Sequence, residues 1–85
     1  MSTMLFVNNL PFTATEQTLL EKFAKFGAVI SVELNRNALT GVSERSGFVE
    51  MRTAAEAQKA LTWLNFANFD GHVMSVVRTV AAVGE

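Results

Sequence analysis

Two short stretches decide the fold of this chain: Leu5-Phe6-Val7-Asn8-Asn9-Leu10 and Ser46-Gly47-Phe48-Val49-Glu50-Met51. Each is typical of a β-strand, along which successive side chains point to opposite faces of the sheet. This alternation places Phe6 and Phe48 on the face opposite the aliphatic side chains of their own strands. A run such as Leu5-Phe6-Val7 is also typical of a strand that is buried on both faces. The two stretches alone therefore leave open whether the rings belong to a core or to a surface.

The rest of the sequence predicts two helices and two further strands. Capping threonines, apolar residues at helical spacing and alternating strand residues mark these elements. They are a helix from Thr13 or Thr15 to about Phe26, ended by Gly27; a strand from Val29 to Asn35; a loop from Arg36 to Ser43; a strand from about Arg45 to Arg52; a helix that begins with the capping box Thr53-Ala54-Ala55-Glu56; a loop from Asn65 to Gly71; and a strand from about Val73 to Thr79.

Apolar periodicity also predicts which side of each element faces the core. The expected core residues are Leu19, Phe23 and Phe26 on the first helix, Ala57, Ala60, Leu61 and Leu64 on the second helix, and Met74 and Val76 on the last strand. On the second strand, one side carries Ile30, Val32 and Leu34, and the other carries Ser31, Glu33 and Asn35.

The order of the predicted elements is β-α-β-β-α-β. This order is typical of the ferredoxin-like split βαβ sandwich, an α+β fold in which two helices cover one face of a four-stranded antiparallel sheet. Right-handed crossovers place the first and third strands side by side at the centre of that sheet. Phe6 and Phe48 are then expected to be neighbours on the face that the helices leave open.

Composition limits the class of protein and the kinds of site. The 85 residues suit a single domain, with an expected core at about 4–79 and a short tail at 80–85. Because cysteine is absent and His72 is the single histidine, we expect no metal ion and no cofactor. No apolar run reaches the roughly 20 residues of a membrane span, and the first residues lack a secretory signal. We therefore expect a cytoplasmic protein with no membrane partner.

The chain resembles the RNA recognition motif family from about Met4 to Thr79, and in particular the small one-domain RNA-binding proteins of bacteria. The first stretch fits the family hexamer, and Phe6 falls where the family carries its first base-stacking ring. Further matches to the family are Leu10-Pro11-Phe12, Phe26-Gly27, Glu56-Ala57, Leu64-Asn65 and Gly71.

The family octamer aligns with Glu44-Arg45-Ser46-Gly47-Phe48-Val49-Glu50-Met51. Gly47 matches the octamer's Gly or Ala position, Phe48 its Phe position and Val49 its aliphatic position. Glu44 and Ser46 depart from the pattern, because they replace a basic residue and a second stacking ring. Arg45 and Met51 depart too, and methionine is a tolerable core substitute at its inward position.

The resemblance implies non-catalytic binding of single-stranded RNA on the open sheet face. Bases are expected to stack on Phe6 and Phe48. The candidate base-edge partners on the same face are Asn8, Asn35, Ser46 and Ser75, and the candidate phosphate contacts near the rim are Arg36, Arg45, Arg52 and Arg78. Single-stranded DNA is a competing ligand, because stacking does not read the 2′-hydroxyl.

Charge argues against tight binding of nucleic acid. The formal net charge is −1, and Glu33, Glu44 and Glu50 lie on or beside the predicted face. Proteins that bind mainly by neutralising phosphates are basic. We therefore expect binding that is weak, strongly dependent on salt and limited in sequence preference. Self-association would raise the avidity of such a face.

Two other functions compete with this one. Trp63 lies about 100 degrees from Leu64 around the second helix and so off its apolar stripe, and an exposed tryptophan is a frequent hot-spot residue. This favours a protein-interaction module that uses the helical face around Trp63, unless the ring packs on Leu20 or Phe66. An enzyme is disfavoured, because no hydroxyl has an evident base partner and no glycine-rich phosphate loop precedes either helix.

Overall fold

The computed structural model describes residues 3–79 and contains the predicted elements together with two additional short strands. In chain order the elements are β1 (Met4–Asn8), α1 (Glu16–Ala24), β2 (Val29–Arg36), β3 (Ser43–Met51), α2 (Ala54–Leu64), β4 (Asn68–Phe69), β5 (His72–Val73) and β6 (Ser75–Thr79). The predicted tail at 80–85 lies outside the described residues.

Four of the strands form one antiparallel sheet in the order β2-β3-β1-β6. The strands β1 and β3 therefore lie side by side at its centre, as the crossover argument predicts. Both helices pack against the same face of the sheet, and the opposite face is open. The predicted ferredoxin-like βαββαβ sandwich is confirmed.

The core lies between the sheet and the two helices. Its most deeply buried members include Leu5 and Val7 of β1, Leu19 and Phe23 of α1, Val49 and Met51 of β3, Ala57 and Ala60 of α2, and Met74 and Val76 near the chain's last strand. Phe26, Val32 and Leu61 are partly buried against this cluster. The core predictions for both helices and for the last strand are confirmed. Within residues 3–79, no helix is long and apolar enough to cross a membrane.

The prediction that Ile30 shares the inward side of β2 is wrong. Ile30 is 58% exposed, whereas Val29 packs against the core. Val29 and Ser31 are opposite Met51 and Glu50, two consecutive residues of β3. The extra residue in β2 is a β-bulge, and a bulge changes which side chains face the core.

Helix α1 begins at one of the two predicted caps and ends earlier than predicted. Thr15 and Thr18 form a reciprocal capping box. The helix ends at Ala24, with Lys25 as its C-cap. Gly27 is therefore not the residue that stops it.

Gly27 is required instead by the close approach of α2. A Cβ atom at position 27 would lie 2.6 Å from Cβ and Cγ of Glu56. The Glu56 carboxylate accepts hydrogen bonds from the Ala28 N–H (3.2 Å) and the Thr53 hydroxyl (3.0 Å). These two hydrogen bonds, the Ala28 one foremost, lower the pKa of Glu56. Glu56 thereby ties the start of α2 to the chain that enters β2.

The predicted loop from Asn65 to Gly71 contains part of a small hairpin. Strands β4 and β5 pair with each other around Asp70-Gly71, and both turn residues have positive φ, 50° and 87°. An Asp-Gly pair with two positive φ angles is typical of a two-residue hairpin turn. The hairpin buries Phe69, which is 4% exposed.

Candidate nucleic-acid interface

Two aromatic rings lie next to each other at the centre of the open sheet face. Phe6 of β1 is directly opposite Phe48 of β3 in the antiparallel register. The ring centroids are 5.2 Å apart and the ring planes are tilted by 52°. Both side chains are half-buried, whereas Leu5 and Val49, their neighbours along the strands, are fully buried on the helical face. The alternation predicted from the sequence thus gives the observed positions of both rings.

The ring pair is the middle of a row of four side chains that crosses the sheet. Glu33 of β2 is opposite Phe48, and Val77 of β6 is opposite Phe6. Val77 is 47% exposed and is missing from the residues predicted for the site. Its alternation with the inward-facing Val76 is the signal that places it on this face.

Polar side chains lie beyond the rings, toward the end of β1. Asn8 is opposite Ser75 of β6, and Asn35 donates a hydrogen bond from Nδ2 to Oγ of Ser46 over 3.0 Å. Asn8 is exposed and Ser75 is half-buried, whereas Ser46 is only 9% exposed. Of the predicted base-edge partners, Asn8 and Ser75 are therefore more accessible than Ser46. The pairing of β2 with β3 is irregular at this point, and simple alternation does not describe it.

Carboxylates flank the rings on the other sides. Glu33 is exposed beside Phe48. Glu50 lies two residues after Phe48 on β3, and its Oε2 accepts a hydrogen bond of 3.4 Å from the Thr3 hydroxyl. Two negative charges so close to the rings repel a polyanion, as the sequence predicts.

Arg36 does not lie free at the rim of the open face. Its guanidinium forms a bidentate ion pair with Glu16 in the first turn of α1, with N–O distances of 2.6 and 2.9 Å. The hydrogen bonds from Arg36 hold the pKa of Glu16 down at about 2, and the same pairing raises the pKa of Arg36. The ion pair with α1 therefore directs Arg36 to the helical side, where Leu34, two residues earlier, is buried.

Arg78 and Arg52 are also directed toward helix residues. Arg78 donates from Nη2 to Oε1 of Gln58 on α2 over 2.7 Å. Arg52, which is largely exposed, lies 3.7 Å from the Glu56 carboxylate through its own Nη2. The expectation that these arginines and Arg36 line the rim of the open face is not met by their contacts.

Within residues 3–79, one of the basic residues has no contact with a helix and lies next to the end of β1. Of the seven lysines and arginines, six are on the helices, next to a helix end or in contact with helix residues. These six are Lys22, Lys25, Lys59, Arg36, Arg52 and Arg78. The seventh is Arg45, near the start of β3.

Arg45 is held by three acceptors at the end of β1. Its Nε donates to the Leu10 carbonyl (2.8 Å), and its Nη2 lies 3.3 Å from the Asn9 Oδ1 and 2.8 Å from the His72 Nδ1. A guanidinium only donates, so the Nδ1 of a neutral His72 accepts and its proton lies on Nε2. Arg45 has a φ of 63°, which is uncommon for a long side chain.

The helical face carries an exposed tryptophan. Trp63 on α2 is 66% exposed, and Phe66, just after the helix, is 75% exposed. A Trp63 ring packed against Leu20 or Phe66 would be less accessible than this. The observation that motivates a protein-interaction site on this face therefore persists in the structure.

Comparison with known proteins identifies the family. The sequence model described as RNA recognition motif matches residues 5–75. This chain belongs to the RNA recognition motif family. The crystal structure of RNA Binding Protein PG1 is similar to it, with a TM-score of 0.89 and 31% identity over 92% of this chain and 94% of that one.

Two further proteins illustrate the range of the similarity. Small RNA-binding protein 11, chloroplastic, of Arabidopsis thaliana is 38% identical over 85% of this chain and 49% of its own length. The Sxl-lethal protein/RNA complex aligns with a TM-score of 0.87 and 27% identity over 100% of this chain and 50% of that chain. The chain spans about half or less of the length of the first curated relatives that it matches. The predicted cytoplasmic location stays a prediction.

Proposed function

We propose that this protein binds single-stranded RNA on the open face of its sheet, with bases stacked on Phe6 and Phe48. The observation that carries the proposal is the pair of half-buried rings, 5.2 Å apart, on a face that the helices do not cover. Membership of the RNA recognition motif family and the similarity to a protein solved as an RNA complex support it. Proteins of this kind hold unpaired bases by stacking and by hydrogen bonds to base edges.

The energy available from the rings sets the expected affinity. Two bases stacked at about 1–3 kcal/mol each contribute roughly 2–6 kcal/mol. A micromolar Kd requires about 8 kcal/mol. Asn8 and Ser75 supply accessible hydrogen-bonding groups next to the rings, while Glu33 and Glu50 oppose the phosphates. We therefore expect binding weaker than micromolar. The proposed weakening with salt has to come from phosphate contacts of cations, because salt screens the repulsion by these carboxylates rather than adding to it.

Two finer points belong to the same proposal. Single-stranded DNA should bind by the same stacking, with the 2′-hydroxyl and the thymine methyl group as the chemical differences available for discrimination. The expected role is binding without catalysis, because stacking of bases and hydrogen bonds to their edges require no chemical step.

The proposal is tested with fluorescence anisotropy of labelled random-sequence RNA hexamers at low salt. Phe6→Ala and Phe48→Ala should each weaken binding about tenfold, because each removes one stacking surface. Phe66→Ala is the matched control, since it removes an exposed ring from the end of α2 rather than from the sheet. Equal binding by wild type and both sheet variants would refute the proposal.

A second candidate function rests on the exposure of Trp63. A protein partner that docks on the helical face would use that ring as an anchor, since exposed tryptophans are common hot spots. In that case Trp63→Ala would abolish capture of the partner and leave RNA hexamer binding unchanged. RNA binding that depends on Trp63 and is indifferent to Phe6 would contradict both candidates as they are described here.

A further inference from the structure

An exposed aromatic ring lies beyond the end of β1, away from the ring pair. Phe12 is 64% exposed, although Pro11 before it is buried. A phenylalanine with this much surface in water gains little of the free energy that burial would give. Core packing therefore does not account for the position of this ring.

A planar cation lies over one face of this ring. The guanidinium of Arg45 lies over Phe12, with its central carbon 5.1 Å from the ring centroid. The same guanidinium is held in place by hydrogen bonds with Leu10, Asn9 and His72. Because these three acceptors belong to the protein, the position of the cation over the ring is set before any ligand arrives.

The Phe12 and Arg45 pair adjoins the polar end of the open face. Asn9, which Arg45 contacts, follows Asn8 in the chain, and Asn8 lies two residues beyond Phe6 on β1. At a rise of about 3.3 Å per residue, that step along the strand is about 7 Å. A strand of RNA that leaves the ring pair toward Asn8 therefore meets the end of β1, where Arg45 is held.

We infer that Phe12 and Arg45 form a third nucleotide-binding position for single-stranded RNA, outside the sheet. The base stacks on the exposed part of the Phe12 ring, and the nucleotide's phosphate lies near the Arg45 guanidinium. Aromatic rings and arginine planes are both surfaces on which unpaired bases stack. The inference rests on the proposed function and extends it by adding a nucleotide to the footprint.

Stacking is expected to contribute more than charge to the binding of a nucleotide at this position. The Thr13 hydroxyl donates to the Asp70 carboxylate over 3.2 Å, which brings a negative group close to the residue that follows Phe12. Glu44, next to Arg45, is exposed as well. With these carboxylates nearby, the position attracts phosphate only weakly, and the ring supplies most of the gain.

The test compares random-sequence RNA dinucleotides with random-sequence RNA hexamers by NMR titration. A dinucleotide that stacks on the ring pair is too short to reach Phe12 as well, whereas a hexamer can occupy both. Phe12→Ala should weaken hexamer binding about tenfold and leave dinucleotide binding within twofold of wild type. Phe12→Trp, which enlarges the stacking surface, should keep or raise hexamer affinity. Arg45→Lys keeps the charge but loses the flat group, and should weaken hexamer binding several-fold.

The controls separate this inference from the function on which it rests. Phe66→Ala should bind the hexamer as wild type does, and an unchanged amide spectrum of free Phe12→Ala should show that the fold is intact. Hexamer binding that is sensitive to Phe6→Ala but equal in wild type and Phe12→Ala would overturn the third position and leave the proposed function standing. Hexamer binding that is absent from the wild type would overturn both.

Discussion

The helical face and the open face of the sheet differ in how they use charge. On the helical side, the guanidinium groups of Arg36 and Arg78 donate hydrogen bonds to helix residues. On the open side, the ring pair is flanked by Glu33 and Glu50. A surface that binds nucleic acid through phosphates has the opposite distribution. Under the proposed function, we therefore expect stacking to contribute more of the affinity than neutralisation of phosphates does.

The largest effects are expected from substitutions at two adjacent residues of β1 that face opposite sides of the sheet. Leu5→Ala removes a fully buried side chain and should lower the free energy of unfolding by about 2–5 kcal/mol. Phe6→Ala removes a half-buried ring from a cross-strand pair and should cost only about 1 kcal/mol. RNA binding should respond in the reverse order. Chemical denaturation and hexamer titration of both variants provide the two measurements.

The contradicting result is a loss of stability in Phe6→Ala as large as that in Leu5→Ala. Such a result would mean that the ring is part of the core and that its effect on RNA binding reflects unfolding. Titrations should therefore be carried out at a temperature where both variants are fully folded.

Charge reversal tests the acidic surroundings of the rings with a smaller expected effect. Glu33→Lys places a cation beside Phe48 and should raise hexamer affinity several-fold at low salt. The slope of log affinity against log salt should steepen by about 0.7, the value for one phosphate contact on a single strand. Glu21→Lys makes the same change of net charge on α1 and is the control. Equal gains in the two variants would mean that net charge, not the local face, controls binding.

The smallest effect is expected from the ion pair on the helical side. The pKa of Glu16 is lowered from 4.5 to about 2 by its hydrogen bonds with Arg36. A carboxylate whose pKa is lower in the folded state stabilises the fold above the unfolded pKa, and this contribution is lost as the pH falls from about 4.5 toward 2. Glu16→Gln should remove that part of the acid dependence. Because the pair is solvent-exposed, the loss at neutral pH should be about 0.2–1 kcal/mol.

The measurement is thermal unfolding of wild type and Glu16→Gln between pH 2 and neutrality, a range that contains the window from about 4.5 toward 2. The two curves should converge at the acid end. RNA binding by Glu16→Gln at neutral pH should match wild type, since the pair lies on the face away from the rings. A variant whose stability deficit grows as the pH falls would contradict the assignment.

The sequence predicts best which sheet face each side chain of β1 and β3 occupies. The period of two in β1 and β3, together with the β-α-β-β-α-β order, is enough to bring Phe6 and Phe48 together. Both helices follow from apolar spacing and capping threonines. These features are local in sequence, so they need no knowledge of the tertiary structure.

The errors arise where the backbone leaves regular geometry. Ile30 is exposed because a bulge adds a residue to β2. Ser46 is buried in an irregular part of the β2–β3 pairing, where Arg45 also takes a positive φ. Bulges carry no strong sequence signal when glycine is absent from them.

Other errors were avoidable in physical terms. Arg78 shares the parity of the inward-facing Val76, so alternation alone directs it to the helical side. The Asp70-Gly71 pair is a strong signal for a tight hairpin. The contact of Arg45 with Phe12, in contrast, joins residues far apart in the chain, and only the folded structure reveals it.

The most direct test of the central claim is an amide-resolved NMR titration of the wild-type protein with random-sequence RNA hexamers, first at low and then at physiological salt. Stacking on the open face predicts shifts at Phe6, Asn8, Phe48 and Val77, and any part of the binding that depends on phosphate contacts is lost as salt increases. Shifts confined to the helix around Trp63, or no shifts at low salt, would contradict the claim that the open face binds RNA.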